Sequence, residues 1–165
     1  MPLGSVRLHE RHVRSDPPLA SEAEAIEREV AATLAGADEA FGRRANDGDD
    51  DERPAPLLVG VAGTVTSLAA MNLGLKSYDP ALVHGTQLTA AALDTQIGRL
   101  AGATQAERER FAGLDPRRAD VIFAGALLLR AILRRSGAGA VRVSDRGIRW
   151  GLFYSTLPGS VALPR

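Results

Sequence analysis

The stretch LLVGVAGTVTSLAAM, from Leu57 to Met71, changes from a continuous apolar run to a Gly-Thr turn and then to a second apolar run. This order predicts a β-strand, a tight loop and an α-helix. The strand shows no alternation of polar and apolar residues. We therefore expect both of its faces to be covered, as in the parallel strands of α/β proteins.

The loop between this strand and this helix has the composition of an anion-binding turn. Gly60 and Gly63 let the backbone turn at the end of the strand without a side chain that would block a bound group. Thr64 and Thr66 fall in the first helical turn, where free N–H groups and the positive end of the helix dipole favour a negative ligand. We predict that these four residues bind phosphate.

A second segment, near the end of the chain, repeats the same order. An apolar strand over residues 140–143 precedes the polar turn Ser144-Asp-Arg-Gly147, and a helix is expected over about residues 148–157. Loops at the carboxyl ends of parallel strands line one crevice, so both loops should face the same cleft. The alternative is that the polar side chains only stabilise the turn. The candidate phosphate contacts here are Asp145, Arg146, Gly147 and Arg149.

Periodicity and capping residues predict the other elements. They are a strand over Ser5–His9, a helix from Ser21 to about Phe41, a helix from Thr89 to Leu100, a short helix capped by Thr104 and Glu107, and the longest helix from Asp115 to about Ser136. Residues 43–55 are acidic and aperiodic, which predicts an exposed linker rather than a cation loop. His9 and His12 are predicted to be surface histidines, since no third metal ligand accompanies them.

Composition limits the possible functions. The chain has 165 residues, 45% of them apolar, which is enough for one domain with a core. It lacks cysteine, so disulfides and thiolate metal sites are excluded. The apolar runs are too short to span a membrane, no signal peptide is recognisable, and a cytoplasmic protein is expected. Nothing indicates a nucleic acid as partner.

Charge is unevenly distributed although the formal net charge is zero. Residues 1–52 contain 6 Arg and 13 acidic residues, whereas residues 53–165 contain 14 basic and 7 acidic residues. Nineteen of the 20 basic residues are Arg, whose planar fork binds phosphate bidentately. A GC-rich genome would produce the same bias, so the pattern supports a polyanion ligand without establishing one.

Several motifs in one order resemble a known family. They are Gly60-Val-Ala-Gly-Thr-Val-Thr-Ser-Leu-Ala-Ala-Met71, Tyr78-Asp79, Val83-His-Gly85, Asp115-Pro-Arg-Arg-Ala-Asp-Val-Ile-Phe-Ala-Gly125 and Val143-Ser-Asp-Arg-Gly-Ile-Arg149. This order is similar to that of the exopolyphosphatase and guanosine pentaphosphate phosphatase (Ppx/GppA) family. Residues 2–10 and 15–18 resemble that family's third strand and the turn after it.

The resemblance implies a fold and a domain organisation. It implies an α/β, ribonuclease-H-like domain of the actin, Hsp70 and sugar kinase superfamily, with a helical insertion between Thr89 and the helix that follows Asp115. The family's Asp-x-Gly-Ser and Asp-x-Gly-Gly-Gly-Ser loops and its catalytic glutamate have no counterpart in this chain. By resemblance, residues 1–157 form an incomplete second domain, with residues 158–165 as a tail.

The resemblance also implies a function. A phosphoric-anhydride hydrolase would bind polyphosphate or guanosine pentaphosphate between two domains, with Mg²⁺ as cofactor and with His84 and Arg118 near the cleft. No catalytic residue and no metal ligand can be assigned in this chain. The alternative is a non-catalytic remnant that binds a nucleotide or a partner protein. Since the family's first two strands are missing, an exposed sheet edge should favour self-association or pairing with another domain.

Overall fold

The computed structural model describes residues 3–36 and 56–156. Within these ranges the chain forms eight α-helices, three strands and one 3₁₀-helix. In chain order they are α1 (Ser5–His12), α2 (Ala20–Ala35), β1 (Leu58–Val61), α3 (Gly63–Asn72), α4 (Pro80–Val83), β2 (Gln87–Thr89), α5 (Ala90–Ala101), α6 (Gln105–Arg108), the 3₁₀-helix (Pro116–Arg118), α7 (Ile122–Ser136), β3 (Ala140–Ser144) and α8 (Ile148–Ser155).

The sheet has the strand order β1-β3-β2, with β1 parallel and β2 antiparallel to β3. Helix α3 packs against all three strands, and Val141 and Val143 of the central strand are buried. On β1, Val59 and Val61 stay 49% and 43% exposed. The prediction that both faces of β1 are covered is therefore wrong for the described residues. An apolar run shows that a strand can be buried, but it does not show that an element is available to cover each face.

Helix α7 is the centre of the core. It contacts α1, α2, α3 and α5, so apolar side chains around most of its circumference are buried. A helix that is apolar on nearly all sides is stable only when neighbours surround it. Its buried residues are Ile122, Phe123, Ala124, Gly125, Ala126, Leu127, Leu129 and Leu133.

The first element is a helix, α1, where the sequence analysis predicted a strand over Ser5–His9. Leu8 is buried in the core, whereas Val6 is 52% exposed. A five-residue alternation fits a helix as well as a strand when only one apolar residue faces the core, and tertiary packing decides. His12 is bound to Glu29 of α2 and is only 18% exposed, so its prediction as a surface histidine is also wrong.

Helix α2 begins at Ala20, one residue before the predicted cap at Ser21. Glu22 accepts hydrogen bonds from the backbone N–H groups of Arg14, Ser15 and Leu19, which fixes the connection from α1. The helix ends at Ala35, before Gly36, and not near Phe41. Glycine has low helix propensity, which accounts for the earlier end.

The predicted helix from Asp115 to Ser136 is interrupted, and it is not the longest of the described helices, since α2 has 16 residues and α7 has 15. A buried arginine accounts for the interruption. Arg108 donates to the carbonyl oxygens of Leu100 and Ala103 through Nε and to that of Ala119 through Nη1, each at 3.0 Å. The Ala119 carbonyl thus faces Arg108 between the 3₁₀-helix and α7. Burial lowers the pKa of Arg108, against the opposing effect of Asp16 and Asp120.

Other predicted boundaries are confirmed. Thr89 caps α5 and accepts a hydrogen bond from the Ala92 N–H, and Thr104 forms a capping box with Glu107 at α6. Helix α7 ends at Ser136, and the next residue, Gly137, adopts the left-handed conformation with φ 69°.

The strand β2 was not predicted. The predicted linker at 43–55 and tail at 158–165 lie outside the described residues. Across the described ranges, no helix combines the length and the apolar character of a membrane span.

We predict that Gly113→Ala destabilises the chain more than Gly137→Ala. Both glycines have positive φ, 84° and 69°, which costs alanine about 1 kcal/mol. A Cβ at Gly113 would also lie 2.4 Å from the backbone carbon of Ala70 in α3, whereas nothing lies within 4 Å of one at Gly137. We expect a loss of about 1 kcal/mol for Gly137→Ala and of about 3 kcal/mol for Gly113→Ala in urea unfolding. Equal losses would show that α3 is not packed against residue 113.

Candidate functional site

A pocket of about 950 Å³ lies where β1 and β3 end. Four parts of the chain form its walls: the loop from β1 into α3, the segment with Lys76 and Tyr78, the segment of residues 113–118, and the loop from β3 into α8. Parallel pairing of β1 and β3 brings the two glycine loops to the same edge of the sheet. The expectation that both loops face one cleft is met by this geometry.

The first loop is strained at Ala62. This residue has φ 70° and ψ 177°, a conformation that is essentially restricted to glycine, and it immediately precedes the first residue of α3. Thr66 turns its hydroxyl back to the carbonyl oxygens of Ala62 and Gly63 at 3.3 and 3.4 Å. The backbone N–H groups of the first turn of α3 therefore lie at the pocket with the positive end of the helix dipole.

Arg118 lies directly over this helix start. A Cβ on Gly63 would come within 2.0 Å of the Arg118 Cζ, so glycine leaves the space that the guanidinium occupies. Positive charge at a helix N-terminus is unfavourable unless an anion balances it. Arg118 Nε lies 4.0 Å from Asp115 Oδ2, which gives a partial balance.

Asp115 holds the second wall in place. It accepts hydrogen bonds from the Arg117 side chain, with Nη2 at 2.9 Å, and from the Arg117 backbone N–H at 3.1 Å. The hydrogen bonds from the side chain and the backbone of Arg117 lower the pKa of Asp115. The carboxylate is thus ionised at neutral pH, and it interacts with Arg117 and Arg118 of the same turn.

Tyr78 joins the two sides of the pocket. Its hydroxyl donates to Asp145 in the loop after β3. Burial, together with this hydrogen bond, raises the pKa of Tyr78 to about 12, so the phenol remains a donor at neutral pH. The backbone N–H of Asp145 in turn lies 3.3 Å from Nδ1 of His84. These contacts fix the position of the second loop.

The structure brings together six of the ten residues predicted for the site. These are Gly63, Thr66, Arg118, Asp145, Gly147 and Arg149. The other four, Gly60, Thr64, His84 and Arg146, are not on the pocket wall. Gly60 lies against Val141 and Val65, and Thr64 packs against Gly125 of α7. His84 contacts the backbone of the second loop, and Arg146 donates to the Tyr154 hydroxyl at 2.9 Å.

Sequence reasoning missed several residues of the pocket. They include Lys76, Tyr78, Gly113, Asp115, Arg117 and Trp150. Two signals were present in the sequence: Lys76 is the single lysine of the chain, and Tyr78 belongs to one of the motifs that carry the resemblance. Neither could be placed without the topology that brings residues 76–78 next to the strand ends.

The fold and the pocket define an α/β protein with a cationic site formed by two strand-loop-helix units, a class of site suited to phosphate groups. The family model described as the Ppx/GppA phosphatase family matches residues 1–160. The chain belongs to the Ppx/GppA phosphatase family, as the motifs indicated.

Known proteins similar to this chain support this assignment. Exopolyphosphatase 2 of Mycobacterium tuberculosis is 33% identical over 162 residues, which cover 93% of this chain and 46% of that protein. A solved structure of the Aquifex aeolicus Ppx/GppA family member superposes with a TM-score of 0.76 at 29% identity, covering 94% of this chain and 46% of that one. An exopolyphosphatase of Cytophaga hutchinsonii, at 24% identity and a TM-score of 0.76, shares the fold.

These comparisons confirm the predicted fold class, the actin-like α/β fold of this family. The chain spans about half the length of the exopolyphosphatases and solved structures that it matches. Part of the fold is therefore present here, in agreement with the resemblance to an incomplete domain.

We predict that Ala62→Gly increases the free energy of unfolding by about 1 kcal/mol. Glycine adopts the observed φ of 70° without the strain that alanine bears, and this gain exceeds the extra entropy of glycine in the unfolded chain. The matched control is Ala32→Gly on the exposed face of α2, where the same change should cost about 1 kcal/mol. Losses of similar size at both positions in urea unfolding would show that residue 62 is not strained.

We predict that Tyr78→Phe destabilises the chain by about 1 kcal/mol, because it removes a donor to a carboxylate at a half-exposed position. Because the pKa of Tyr78 is raised in the folded chain, this stabilisation depends on pH. It is complete below the ordinary tyrosine pKa of 10 and is lost as pH rises through about 12. The measurement is the free energy of unfolding of Tyr78→Phe and of wild type at pH 8 and at pH 11. The difference between the two proteins should be smaller at pH 11.

The control for this prediction is Tyr154→Phe, which removes the same hydroxyl from an exposed bond to Arg146. We expect this variant to change stability by less than about 0.5 kcal/mol at either pH. If Tyr78→Phe behaved like this control, the contact between Tyr78 and Asp145 would not stabilise the fold.

Proposed function

We propose that this chain supplies a phosphate-binding wall of a phosphoric-anhydride hydrolase of the exopolyphosphatase type, acting on polyphosphate or guanosine pentaphosphate. The observation that carries the proposal is the convergence of four basic side chains and two helix N-termini on one pocket. The basic residues are Lys76, Arg117, Arg118 and Arg149, and two carboxylates, of Asp115 and Asp145, accompany them.

The charge balance of the pocket supports an anionic ligand. Four cationic side chains face two carboxylates, so the wall carries an excess of positive charge even before the helix dipoles are considered. Arg117 and Arg118 share Asp115, which leaves guanidinium N–H groups for other acceptors. Phosphate oxygens match these donors in charge and in geometry.

The wall is suited to stabilising charge. In phosphoryl transfer, catalysis depends on positioning the phosphate chain and on neutralising the charge of the transferred group and the leaving group. Fixed guanidinium and backbone N–H donors serve this purpose because they need no reorganisation when charge develops. In this proposal, Arg118 and the start of α3 bind one part of the phosphate chain and Arg149 binds another.

A water-activating base is not among the pocket residues that the structure describes. The carboxylate of Asp115 has a lowered pKa and is bound by Arg117, so it is a poor proton acceptor. Asp145 accepts the hydrogen bond of Tyr78. The proposal therefore places the base outside these residues. The matched relatives are about twice as long as this chain, which leaves room for such a group.

The described residues do not identify a set of side chains that would hold Mg²⁺, the cofactor that the family resemblance implies. Residues 3–36 and 56–156 contain no group of three or more potential ligands among His, Cys, Asp and Glu side chains. The two pocket carboxylates are engaged by Arg117 and by Tyr78. We assign no step to the metal. The role proposed for this chain is to bind and orient the phosphate chain.

Binding of tripolyphosphate by calorimetry tests the proposal. We expect Arg149→Gln to weaken binding about 10-fold, because one charge-assisted contact is lost, and we expect binding to weaken further as salt increases. The matched control is Arg28→Gln on α2, which pairs with Glu24 and is not on the pocket wall. Equal effects of the two substitutions, or no binding by the wild type, would contradict the proposal.

Release of orthophosphate tests where catalysis resides. With Mg²⁺ and polyphosphate, the isolated chain is expected to bind but to release no orthophosphate, since the described pocket offers no base. Release that Arg149→Gln abolishes would place the water-activating group within this chain and would overturn this part of the proposal.

A further inference from the structure

Arg108 is a buried cation that is not on the pocket wall and that phosphate binding does not use. Taking a guanidinium out of water is costly unless its N–H groups find acceptors. Its acceptors here are the main-chain carbonyl oxygens of Leu100, Ala103 and Ala119, each at 3.0 Å. A buried charge with such partners fixes the backbone of the segments that it joins.

The bond to the Ala119 carbonyl lies where the chain changes from the 3₁₀-helix to α7. In a continuous α-helix from Pro116, this carbonyl would point along the helix axis to the N–H of Phe123. In the structure it faces Arg108 Nη1, and α7 begins only at Ile122. The local sequence pattern favours a continuous helix, so the break depends on this distant contact.

The break determines where Arg118 lies. This residue is the last of the 3₁₀-helix, directly before Ala119, and its guanidinium occupies the space over Gly63 at the start of α3. An α-helix advances about 1.5 Å and turns about 100° per residue, whereas a 3₁₀-helix advances about 2.0 Å and turns about 120°. A continuous helix would therefore displace and rotate the Arg118 side chain relative to α3.

We infer that Arg108 is a positioning residue of the phosphate site. By binding the Ala119 carbonyl, it keeps the 3₁₀-helix separate from α7 and so holds Arg118 over the start of α3. The inference rests on the proposed function, in which Arg118 contacts the phosphate chain. Arg108 acts through Arg118 and is not itself on the wall that the phosphate chain contacts.

Asp16 ties Arg108 to the connection between α1 and α2. Arg108 Nη2 is buried and has no hydrogen-bond partner among the described residues, but it lies 3.8 Å from Asp16 Oδ1. The same carboxylate oxygen accepts the backbone N–H of Gln105 at 2.8 Å, at the first residue of α6. Asp16 therefore restrains the helix that carries Arg108.

A double-mutant cycle in tripolyphosphate binding tests the inference. Arg108→Lys keeps the positive charge but cannot reproduce the fork that joins three carbonyl oxygens. We expect it to weaken binding about 10-fold in calorimetry, because the charge-assisted contact of Arg118 is lost. In the Arg118→Gln background the same substitution should change the affinity less than about 2-fold, since Arg108 acts only through Arg118. A residue that merely stabilises the fold would not show this dependence.

The matched control is Arg130→Lys. Arg130 is mostly buried on α7, binds Glu27 and Asp94 of two other helices, and is not on the wall of this pocket. Its replacement should lower the free energy of unfolding in urea and leave the tripolyphosphate affinity within about 2-fold of wild type. Circular dichroism and urea unfolding of each variant verify that it is folded.

If Arg108→Lys does not fold, Asp16→Asn takes its place in the cycle. Asp16 is half-exposed, and its replacement leaves Arg108 and its carbonyl partners present. Loss of a negative charge by itself favours a polyanion, so the expected weakening of about 3-fold would report the position of Arg108 rather than the net charge. This effect should also disappear in the Arg118→Gln background.

The outcomes separate the two proposals. If tripolyphosphate binds the wild type but the substitution has no effect, or has the same effect with and without Arg118, the inference is overturned and the proposed function stands. An equal loss of affinity in Arg130→Lys would also overturn it, because any weakening of the core would then suffice. If the wild type does not bind tripolyphosphate, the proposed function fails, and the inference fails with it.

Discussion

The parallel strands β1 and β3 are hydrogen-bonded in a register that places Val61 opposite Ser144. Each of these residues is the last of its strand, so the loops that follow leave the sheet at the same level. A shift by one residue would invert the faces of β1 and move one loop along the edge. The start of α3, the Tyr78 contact and the start of α8 all depend on this pairing, because each is tied to one of the two strand ends.

Two arginines lie at helix N-termini, where the helix dipole already places partial positive charge. Arg118 lies over the first residue of α3, and Arg149 lies in the first turn of α8. Each placement opposes the helix dipole by a few tenths of a kcal/mol to about 1 kcal/mol. The carboxylate of Asp115, 4.0 Å from Arg118, offsets part of this cost at α3. The arrangement is thus less stable than a neutral one, and an anion in the pocket would relieve it.

Local signals in the sequence predicted the elements that they control directly. The strand-loop-helix order around Gly63, the caps at Thr89 and Thr104, and the end of α7 at Gly137 depend on residues close in sequence, and all are found. The failures depend on distant contacts. Packing made α1 a helix, Arg108 interrupted the segment before α7, and no element within the described ranges covers the outer face of β1. Lys76 and Tyr78 reach the site only through the topology, so no local pattern could have placed them.

The uncovered apolar surface and the excess positive charge lie on the same side of the molecule. Val61, Ile148 and Trp150 line the pocket and are 43%, 88% and 46% exposed, respectively. The buried core around α7 does not include these three side chains. The exposed side chains therefore cost little folding energy, yet they remain available to form contacts.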